Sequence, residues 1–353
     1  MDAMTDHMMQ AGFLTSIGRL EIMPSPMPRI AAEHDVLVKV DVLGVCGSDI
    51  HYYKTGRIGC QIVKFPWIVG HECGGTVLEV GPAVKRLKVG DVVAVDPLVA
   101  CGQCDQCRRG RIHTCRNQAF LGCPGQLPGA LCQYIVMPQQ CCYALPSGLD
   151  TRHGALIEPF SIGLHACNLA EAGKGSRVAI LGSGRIGLCV LMALRKGPAI
   201  SIAATDLLDY RLALAGQLGA DFILNAAAPD ATQQLLAHQP LGYDYVFECA
   251  GKAEAIDQAV RLLAPGGCLV LVGIPPEDRV AMDMNDLRRK ELRVQCVRRQ
   301  NECVAPAIEM LASGKVNLNP LVTHEFGLAQ SPAAFDLVSR YGDGVVKAMI
   351  NIP

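Results

Sequence analysis

Apolar and polar positions alternate in short runs along the first 150 or so residues of the chain. Residues 36–42 mix β-branched and polar side chains, and similar short segments follow at residues 75–80 and 92–95. Glycine and proline separate these runs at intervals of roughly 8–12 residues, which is typical of antiparallel barrels and sandwiches. We therefore predict a small β-rich domain in this part of the chain.

The pattern changes beyond Glu158, where apolar strands begin to alternate with helical stretches. Strands are predicted at residues 178–181, 200–205, 222–224, 245–247 and 268–272, and helices at residues 185–196, 210–218 and 253–263. A proline and two glycines at residues 265–267 are expected to end the last helix. Alternating strands and helices predict an α/β domain with a doubly wound parallel sheet. The tail is expected to return to the first domain.

A glycine-rich turn lies between the first of these strands and its helix. Gly182 permits a tight turn, Gly184 lets the backbone approach a pyrophosphate, and Gly187 lets helix and strand pack closely. Arg185 and Ile186 complete the motif, at a helix N-terminus whose free N–H groups attract an anion. This setting predicts a dinucleotide site.

The acid at the end of the next strand indicates which dinucleotide is bound. Asp206 lies 19 residues beyond Gly187, where its carboxylate can bind both ribose hydroxyls and repel the 2′-phosphate of NADP. NAD is therefore favoured, although Arg211 could turn towards a phosphate. The alternative interpretation makes Asp206 the N-cap of the following helix.

Length, charge and cysteine content narrow the class of protein. The 353 residues suggest two domains, and a net charge of −1 gives no reason to expect a nucleic-acid or membrane-surface partner. Residues 1–12 lack the features of a secretion signal, and no 18-residue apolar run predicts a membrane span. Seventeen cysteines then favour a reducing, cytoplasmic setting rather than a disulfide framework.

Four of these cysteines form a compact motif. Cys101, Cys104, Cys107 and Cys115 follow the spacing C-x2-C-x2-C-x7-C within the polar segment 100–116. A segment with so few apolar residues needs another source of order, which Zn²⁺ bound by four thiolates supplies. Because four protein ligands leave no open position, this site is predicted to be structural.

A second, open zinc site is predicted from Cys46, His71 and Glu72. Thiolate, imidazole and carboxylate are all zinc ligands, and three of them leave a fourth position for water or substrate. The spacing alone leaves two alternatives open, a structural histidine and a core cysteine.

The residues around this trio resemble a known family. Residues 70–84 follow the pattern Gly-His-Glu-x2-Gly-x5-Gly-x2-Val, which looks like the zinc signature of the medium-chain dehydrogenase/reductase superfamily. Stretches 46–53 and 157–166 are most similar to its polyol (sorbitol and xylitol) dehydrogenases. The four-cysteine segment and the glycine turn come in the family's order, so the resemblance covers nearly the whole chain.

The resemblance implies both the fold and the site. A GroES-like catalytic domain would comprise residues 1–160 and 299–353, and a Rossmann domain residues 161–298. The resemblance also assigns the catalytic zinc to Cys46, His71 and Glu72, with Glu158 touching the metal directly or through water.

The chemistry that this zinc would support is hydride transfer from an alcohol. Zinc lowers the pKa of a hydroxyl bound to it, and hydride then leaves more readily for the nicotinamide. Ser48 is expected to take the proton and His51 to pass it to solvent. The alternatives are a turn residue for Ser48 and a surface histidine for His51.

Further contacts are implied by the resemblance alone. The substrate would touch Tyr52, Phe120, Glu158 and Arg298. The cofactor would lie near Val272, Gly273, Ile274, Cys296 and Val297. Polyol dehydrogenases usually have tyrosine after that arginine, whereas this chain has Arg299, so an acidic or phosphorylated sugar alcohol becomes conceivable.

We therefore expect an NAD- and zinc-dependent oxidoreductase that converts a secondary hydroxyl of xylitol or sorbitol to a ketone. We also expect a homotetramer, because tetramers are common among relatives. A threonine or 2,3-butanediol dehydrogenase is the alternative on the same scaffold. A zinc-ribbon nucleic-acid-binding protein is a remote one, because such ribbons have two well-separated CxxC pairs. An inactive relative would not be expected to keep Cys46, Ser48, His71 and Glu72 together.

Overall fold

The chain folds as two compact units in the structure, a computed structural model that describes residues 8–173, 175–195 and 201–353. The first unit comprises the chain up to Glu158 together with Val304–Pro353, and the second comprises Pro159–Cys303. The division falls within one long helix. Two predicted boundaries lie outside the described residues: the end of a helix at Lys196 and the start of a strand at Ile200. Residues 1–7 of the segment 1–12, for which no secretion signal is predicted, lie outside them too.

The strands, numbered in chain order, are β1 (Met8–Ser16), β2 (Arg19–Pro26), β3 (Asp35–Gly44), β4 (Arg57–Ile58), β5 (Gln61–Ile62), β6 (Trp67–Ile68), β7 (Glu72–Val80), β8 (Val92–Val95), β9 (Leu98–Val99), β10 (Ala119–Phe120), β11 (Tyr134–Pro138), β12 (Cys142–Ala144), β13 (Arg177–Leu181), β14 (Ser201–Asp206), β15 (Phe222–Asn225), β16 (Tyr243–Glu248), β17 (Leu263–Leu271), β18 (Arg293–Cys296), β19 (Val322–Gly327) and β20 (Lys347–Asn351). The α-helices are α1 (Gly47–Thr55), α2 (Asp105–Arg108), α3 (Thr151–Ala170), α4 (Arg185–Leu194), α5 (Asp209–Gln217), α6 (Ala231–His238), α7 (Ala253–Leu262), α8 (Met284–Arg289), α9 (Val304–Ala312) and α10 (Ser331–Ser339).

The first unit is rich in β-structure, as predicted. Its main sheet has seven strands in the order β12-β8-β7-β3-β20-β19, with β11 paired to β3, and β2-β1-β6 form a second sheet. The alternating side chains Val36, Val38 and Val40 on β3 are fully buried, so the period-two pattern turns one face of this strand into core. Because β3 pairs with β7 and β20, it gathers residues from distant parts of the chain.

The second unit is built on a parallel sheet of six strands, which confirms the predicted doubly wound domain. The strand order is β15-β14-β13-β16-β17-β18, and every neighbouring pair is parallel. The chain first builds outwards from β13 in one direction and then restarts on its other side with β16. The crevice at the carboxyl ends of β13 and β16 is therefore the switch point at which such sheets bind ligands.

One predicted boundary in this unit is wrong. Residues 265–267 were expected to separate a helix from the next strand, but α7 already ends at Leu262 and β17 runs from Leu263 through the glycines. The register between β16 and β17 shifts between Tyr243 and Tyr245, so an irregularity in the ladder accommodates this segment without ending the strand.

All 17 cysteines lie within the described residues, and none of them forms a disulfide bond there. Cys189 and Cys268 are buried, as expected of small core residues, but Cys60 and Cys296 are exposed and do not belong to a core. Within the described ranges, no helix combines the length and the hydropathy that crossing a bilayer requires.

Candidate metal centres and cofactor site

The four-cysteine segment closes into a thiol cluster around the short helix α2. The sulfur atoms of Cys101, Cys104, Cys107 and Cys115 all lie within 4.8 Å of one another. Neighbouring sulfurs are 3.4 Å (Cys115 and Cys101), 3.6 Å (Cys104 and Cys107) and 3.8 Å (Cys104 and Cys115) apart. A tetrahedron with Zn–S bonds of about 2.3 Å has edges of roughly 3.8 Å, so the cluster fits zinc.

Backbone N–H groups donate to sulfur atoms of the cluster and favour a thiolate at Cys104. The Cys101 N–H donates to the Cys115 sulfur at 3.3 Å. The N–H groups of Arg116 and Cys107 lower the pKa of Cys104 to about 6, below that of an ordinary thiol. A ligand that is already ionised near neutral pH binds a metal without first losing a proton.

The second candidate centre brings together Cys46, His71 and Glu72. Cys46 lies in the connection between β3 and α1, and the other two stand at the start of β7, which pairs with β3. Their ligand atoms lie within 4.8 Å of one another. Sulfur, imidazole nitrogen and carboxylate oxygen form the donor set of a zinc site with one open position. The described residues that cluster this tightly here do not include Glu158.

Asp49 contacts both His71 and the backbone next to this centre. Its carboxylate is buried, accepts the N–H groups of Cys46 at 3.1 Å and Gly70 at 3.2 Å, and lies 3.4 Å from His71 Nδ1. Burial alone would lower the pKa of His71, but the negative charges of Asp49 and Cys46 outweigh it and raise the pKa well above its ordinary value. A carboxylate on Nδ1 leaves Nε2 as the metal-facing nitrogen.

Lys347 on β20 is the cationic partner of this centre. Its ammonium forms an ion pair with Glu72, both side chains are 0% exposed, and it also donates to the Val45 carbonyl at 3.3 Å. A Cβ on Gly44 would collide with the Lys347 ammonium, so this glycine leaves room for the pair. Burial lowers the pKa of Lys347 to about 8, although the charges of Cys46 and Asp49 act in the opposite direction.

Several other predicted residues lie in the same unit. Ser48 donates to the Cys46 sulfur at 3.2 Å, and His51 and Tyr52 share helix α1 with it. The Tyr52 hydroxyl donates to Gln61 at 3.0 Å. The Phe120 ring centroid lies 5.4 Å from that of His71.

Glu158 is buried on α3, and the pKa of Cys73, raised mainly by burial, is raised further by its charge. Cys73 directly follows Glu72 on β7. The structure thus keeps Glu158 in the same unit as the cluster of Cys46, His71 and Glu72, and its contact with a metal stays a prediction.

The glycine turn adopts the geometry that a dinucleotide needs. Gly182 has a left-handed φ of 98°, and its N–H donates to the Thr205 carbonyl at 2.9 Å. Gly184 is the N-cap of α4, so Arg185 and Ile186 form its first turn. A Cβ on Gly187 would collide with the Gly182 carbonyl oxygen, which explains why this position is glycine.

Asp206 ends β14 beside this turn. Its Oδ1 accepts the Leu208 N–H at 3.0 Å, and its Oδ2 lies 3.7 Å from the Arg211 guanidinium. The N-cap of α5 is Leu208, so the alternative interpretation of Asp206 as the helix cap is wrong. The ion pair directs Arg211 towards the carboxylate.

The remaining predicted cofactor residues follow the ends of β17 and β18. Val272, Gly273 and Ile274 form the loop after β17, where Ile274 is exposed. Cys296 ends β18 and is followed by Val297, whose N–H donates to the Leu271 carbonyl at 2.9 Å.

Arg298 comes next and is exposed, and Arg299 adopts a left-handed φ of 54°. Such a conformation is uncommon for a residue with a Cβ and turns the chain sharply at this point.

Sequence reasoning missed Asp49 and Lys347. The Cys-x2-Asp spacing could have identified Asp49, because a residue three positions after an N-cap can accept the N–H group of the cap. Lys347 lies 275 residues beyond Glu72, in a strand whose next three residues, Ala348–Ile350, are apolar and buried. A lone lysine in an apolar strand was the one available signal of a buried counter-ion.

Comparison with known families agrees with this geometry. Residues 32–147 match the profile described as alcohol dehydrogenase GroES-like domain, and residues 186–313 match the profile described as zinc-binding dehydrogenase.

Individual relatives match over almost the whole chain. A sorbitol dehydrogenase of Bacillus subtilis is 37% identical over 97% of both chains, and an L-idonate 5-dehydrogenase of Vitis vinifera is 35% identical over 97% of this chain and 94% of its own. An Escherichia coli oxidoreductase of unknown specificity superposes with a TM-score of 0.92 at 33% identity, covering 98% and 100% of the two chains. An NADP-bound dehydrogenase from Sinorhizobium meliloti gives 0.88 at 31% identity, covering 98% and 99%.

We predict that replacing Lys347 with methionine lowers the free energy of unfolding of the metal-free first unit by about 3–5 kcal/mol, because the Glu72 carboxylate is then buried without a cation. Urea titration followed by the fluorescence of Trp67, the single tryptophan of the chain, measures this loss.

Lys39→Met is the matched control, since Lys39 pairs with Asp41 at 3.1 Å on the partly exposed part of β3. It should cost no more than about 1 kcal/mol. Equal losses for the two variants would contradict the role of burial.

Proposed function

Because the chain belongs to the zinc-dependent medium-chain dehydrogenases and to their polyol dehydrogenase family, we propose that it oxidises a secondary hydroxyl of a xylitol- or sorbitol-type polyol with NAD. The observation that carries the proposal is the cluster of Cys46, His71 and Glu72, whose donor set matches zinc and is held by buried partners. The sorbitol dehydrogenase of Bacillus subtilis supports the polyol as substrate.

In this proposal Cys46, His71 and Glu72 hold the catalytic zinc, and Glu158 approaches it directly or through water. When bound, zinc supplies a Lewis acid that lowers the pKa of a substrate hydroxyl. The four-cysteine cluster holds a second, structural zinc.

The chain's own residues then handle the proton. Ser48 already donates to the Cys46 sulfur, so its hydroxyl lies beside the centre and can accept a proton from the substrate. His51 is one helical turn further along α1 and would carry that proton towards solvent. Tyr52, Phe120 and Arg298 would bind the remaining hydroxyls.

NAD is the proposed cofactor because of Asp206. Its buried carboxylate is fixed by the Leu208 N–H and repels a 2′-phosphate, while Arg211 is directed towards it. The turn from Gly182 to Gly187 would hold the pyrophosphate, and the loop 272–274 with Cys296 and Val297 the nicotinamide end.

Arg299 supports a second candidate substrate class. Two consecutive arginines can pair with a carboxylate or phosphate, so an anionic sugar or sugar alcohol is the alternative to a neutral polyol. The L-idonate 5-dehydrogenase of Vitis vinifera acts, by its name, on such a sugar acid.

The wider organisation is also proposed. The catalytic domain would comprise residues 1–160 and 299–353, and the cofactor domain would comprise residues 161–298. The protein would be a homotetramer in the cytoplasm. Cysteines that form no disulfide bond in the described part of the chain support a reducing compartment.

Initial rates with xylitol, sorbitol, L-idonate, 2,3-butanediol and L-threonine test the substrate. We expect the highest kcat/KM with one of the two polyols, since Arg298 can bind several hydroxyls. Fast turnover of threonine or butanediol with none of either polyol would contradict the proposal, and a preference for L-idonate would favour the anionic class.

Replacing Cys46 with serine should abolish turnover and reduce the metal content from two zinc ions per chain to one, while NADH binding persists. Elemental analysis and NADH fluorescence measure the two effects. The exposed Cys60→Ser variant is the control and should keep both metals and full activity. Retained activity in the Cys46→Ser variant would remove the catalytic-zinc assignment.

Replacing Asp206 with serine should shift the ratio of kcat/KM for NAD over NADP towards NADP by about 100-fold, because a like-charge repulsion of several kcal/mol is removed. Rates with both cofactors measure the ratio. Asp221→Ser is the control, because Asp221 binds Arg195 and the Ile202 N–H near the opposite end of β14 and should leave the ratio unchanged.

A further inference from the structure

Glu248 ends strand β16 at the switch point of the parallel sheet. It lies directly opposite Leu181, the residue that precedes the glycine turn. Ligands of doubly wound sheets bind in the crevice outside these carboxyl ends. Glu248 therefore stands next to the cofactor crevice of its unit, although neither the motif nor the resemblance pointed to it.

This one residue binds two loops at once. Its side-chain Oε1 accepts the N–H groups of Ala250 at 2.8 Å and Gly251 at 2.7 Å. Its main-chain carbonyl accepts the N–H groups of Val272 and Gly273, both at 2.9 Å. The loop 249–251 after β16 and the loop 272–274 after β17 are thus fixed to the same point.

The two loops and the glycine turn are in close contact. A Cβ on Gly182 would lie 2.8 Å from the Ala250 nitrogen, and one on Gly273 would lie 2.7 Å from Glu248 Oε2. Gly251 has a left-handed φ of 64°, and a Cβ there would lie 2.6 Å from the Ile274 carbonyl oxygen. Because these main-chain segments are in van der Waals contact, a shift of the loop 249–251 displaces both the glycine turn and the loop 272–274.

Burying a carboxyl group at this position costs free energy. Glu248 is fully buried, and burial raises its pKa although the N–H groups of Gly251, Ala250 and Lys252 act in the opposite direction. An apolar side chain would fill the same space without losing the hydration of a carboxyl group. The N–H groups that it accepts explain why the carboxyl group is present.

We propose that Glu248 is a positioning residue for the dinucleotide: it holds the loops 249–251 and 272–274 against the Gly182 turn in the shape that receives the cofactor. The inference rests on the proposed function, because it assumes that the cofactor occupies this crevice. Glu248 acts through the loops and not by touching the reacting atoms.

The test is the NADH dissociation constant of the zinc-loaded enzyme, measured by fluorescence titration well below the melting temperature. Glu248→Ala should raise it about tenfold or more, because two N–H groups lose their acceptor and the loops relax. Glu248→Gln keeps an oxygen acceptor in the same place and should stay within about threefold of the unaltered enzyme.

Asp244→Ala is the matched control on the same strand. Asp244 accepts the Arg177 N–H at 2.8 Å and pairs with its guanidinium near the amino end of β16, away from the crevice. Its loss should lower the melting temperature but leave the NADH dissociation constant unchanged, which separates a positioning role from a general loss of stability.

Failure of the inference and failure of the proposed function are distinguishable. If the unaltered enzyme does not bind NADH, the proposed function fails. If it does, and Glu248→Ala binds NADH equally well, the positioning role is overturned. Should Glu248→Ala not fold, Gly273→Ala replaces it, because the added methyl group pushes the same loops apart and should weaken NADH binding similarly; unchanged binding would overturn the inference.

Discussion

The cluster of Cys46, His71 and Glu72 in the first unit depends on the balance of charges among buried side chains. Glu72 is fully buried, and a carboxylate in such a place is tolerated only with a cation or several donors beside it. Lys347 supplies the cation, and Asp49 supplies the opposite charge behind His71. The strand order explains how this is possible, because β3 lies between β7, which carries Glu72, and β20, which carries Lys347.

At the carboxyl edge of the parallel sheet in the second unit, main-chain segments approach each other closely. Three loops meet at the carboxyl ends of β13, β16 and β17, and glycines stand where any Cβ would collide with a neighbouring main chain. Glycines contribute no side chain to hold these loops together by packing. Hydrogen bonds to the N–H groups help to hold them, and the buried Glu248 accepts two of these with its side chain.

Sequence reasoning reaches furthest where the determinant is local. The turn at Gly182, the acid at Asp206 and the cysteines from Cys101 to Cys115 are read from short spacings, because each site is made by neighbours in the chain. It failed where the partner comes from a distant strand. No spacing connects Lys347 with Glu72, and Pro265 was given the role of ending a helix because an irregular strand ladder cannot be seen in one strand alone.

Lys347 and Glu248, two of the residues that sequence reasoning missed, share one property that explains why they were missed. Each is a charged side chain without exposure in a strand of mainly apolar residues, and its role is to satisfy groups that belong to other elements. A motif search finds residues that contact a ligand, and it overlooks residues that contact only the groups holding that ligand. Since a buried charge is expensive unless something requires it, each such residue in an apolar strand identifies a place where the fold is built around function.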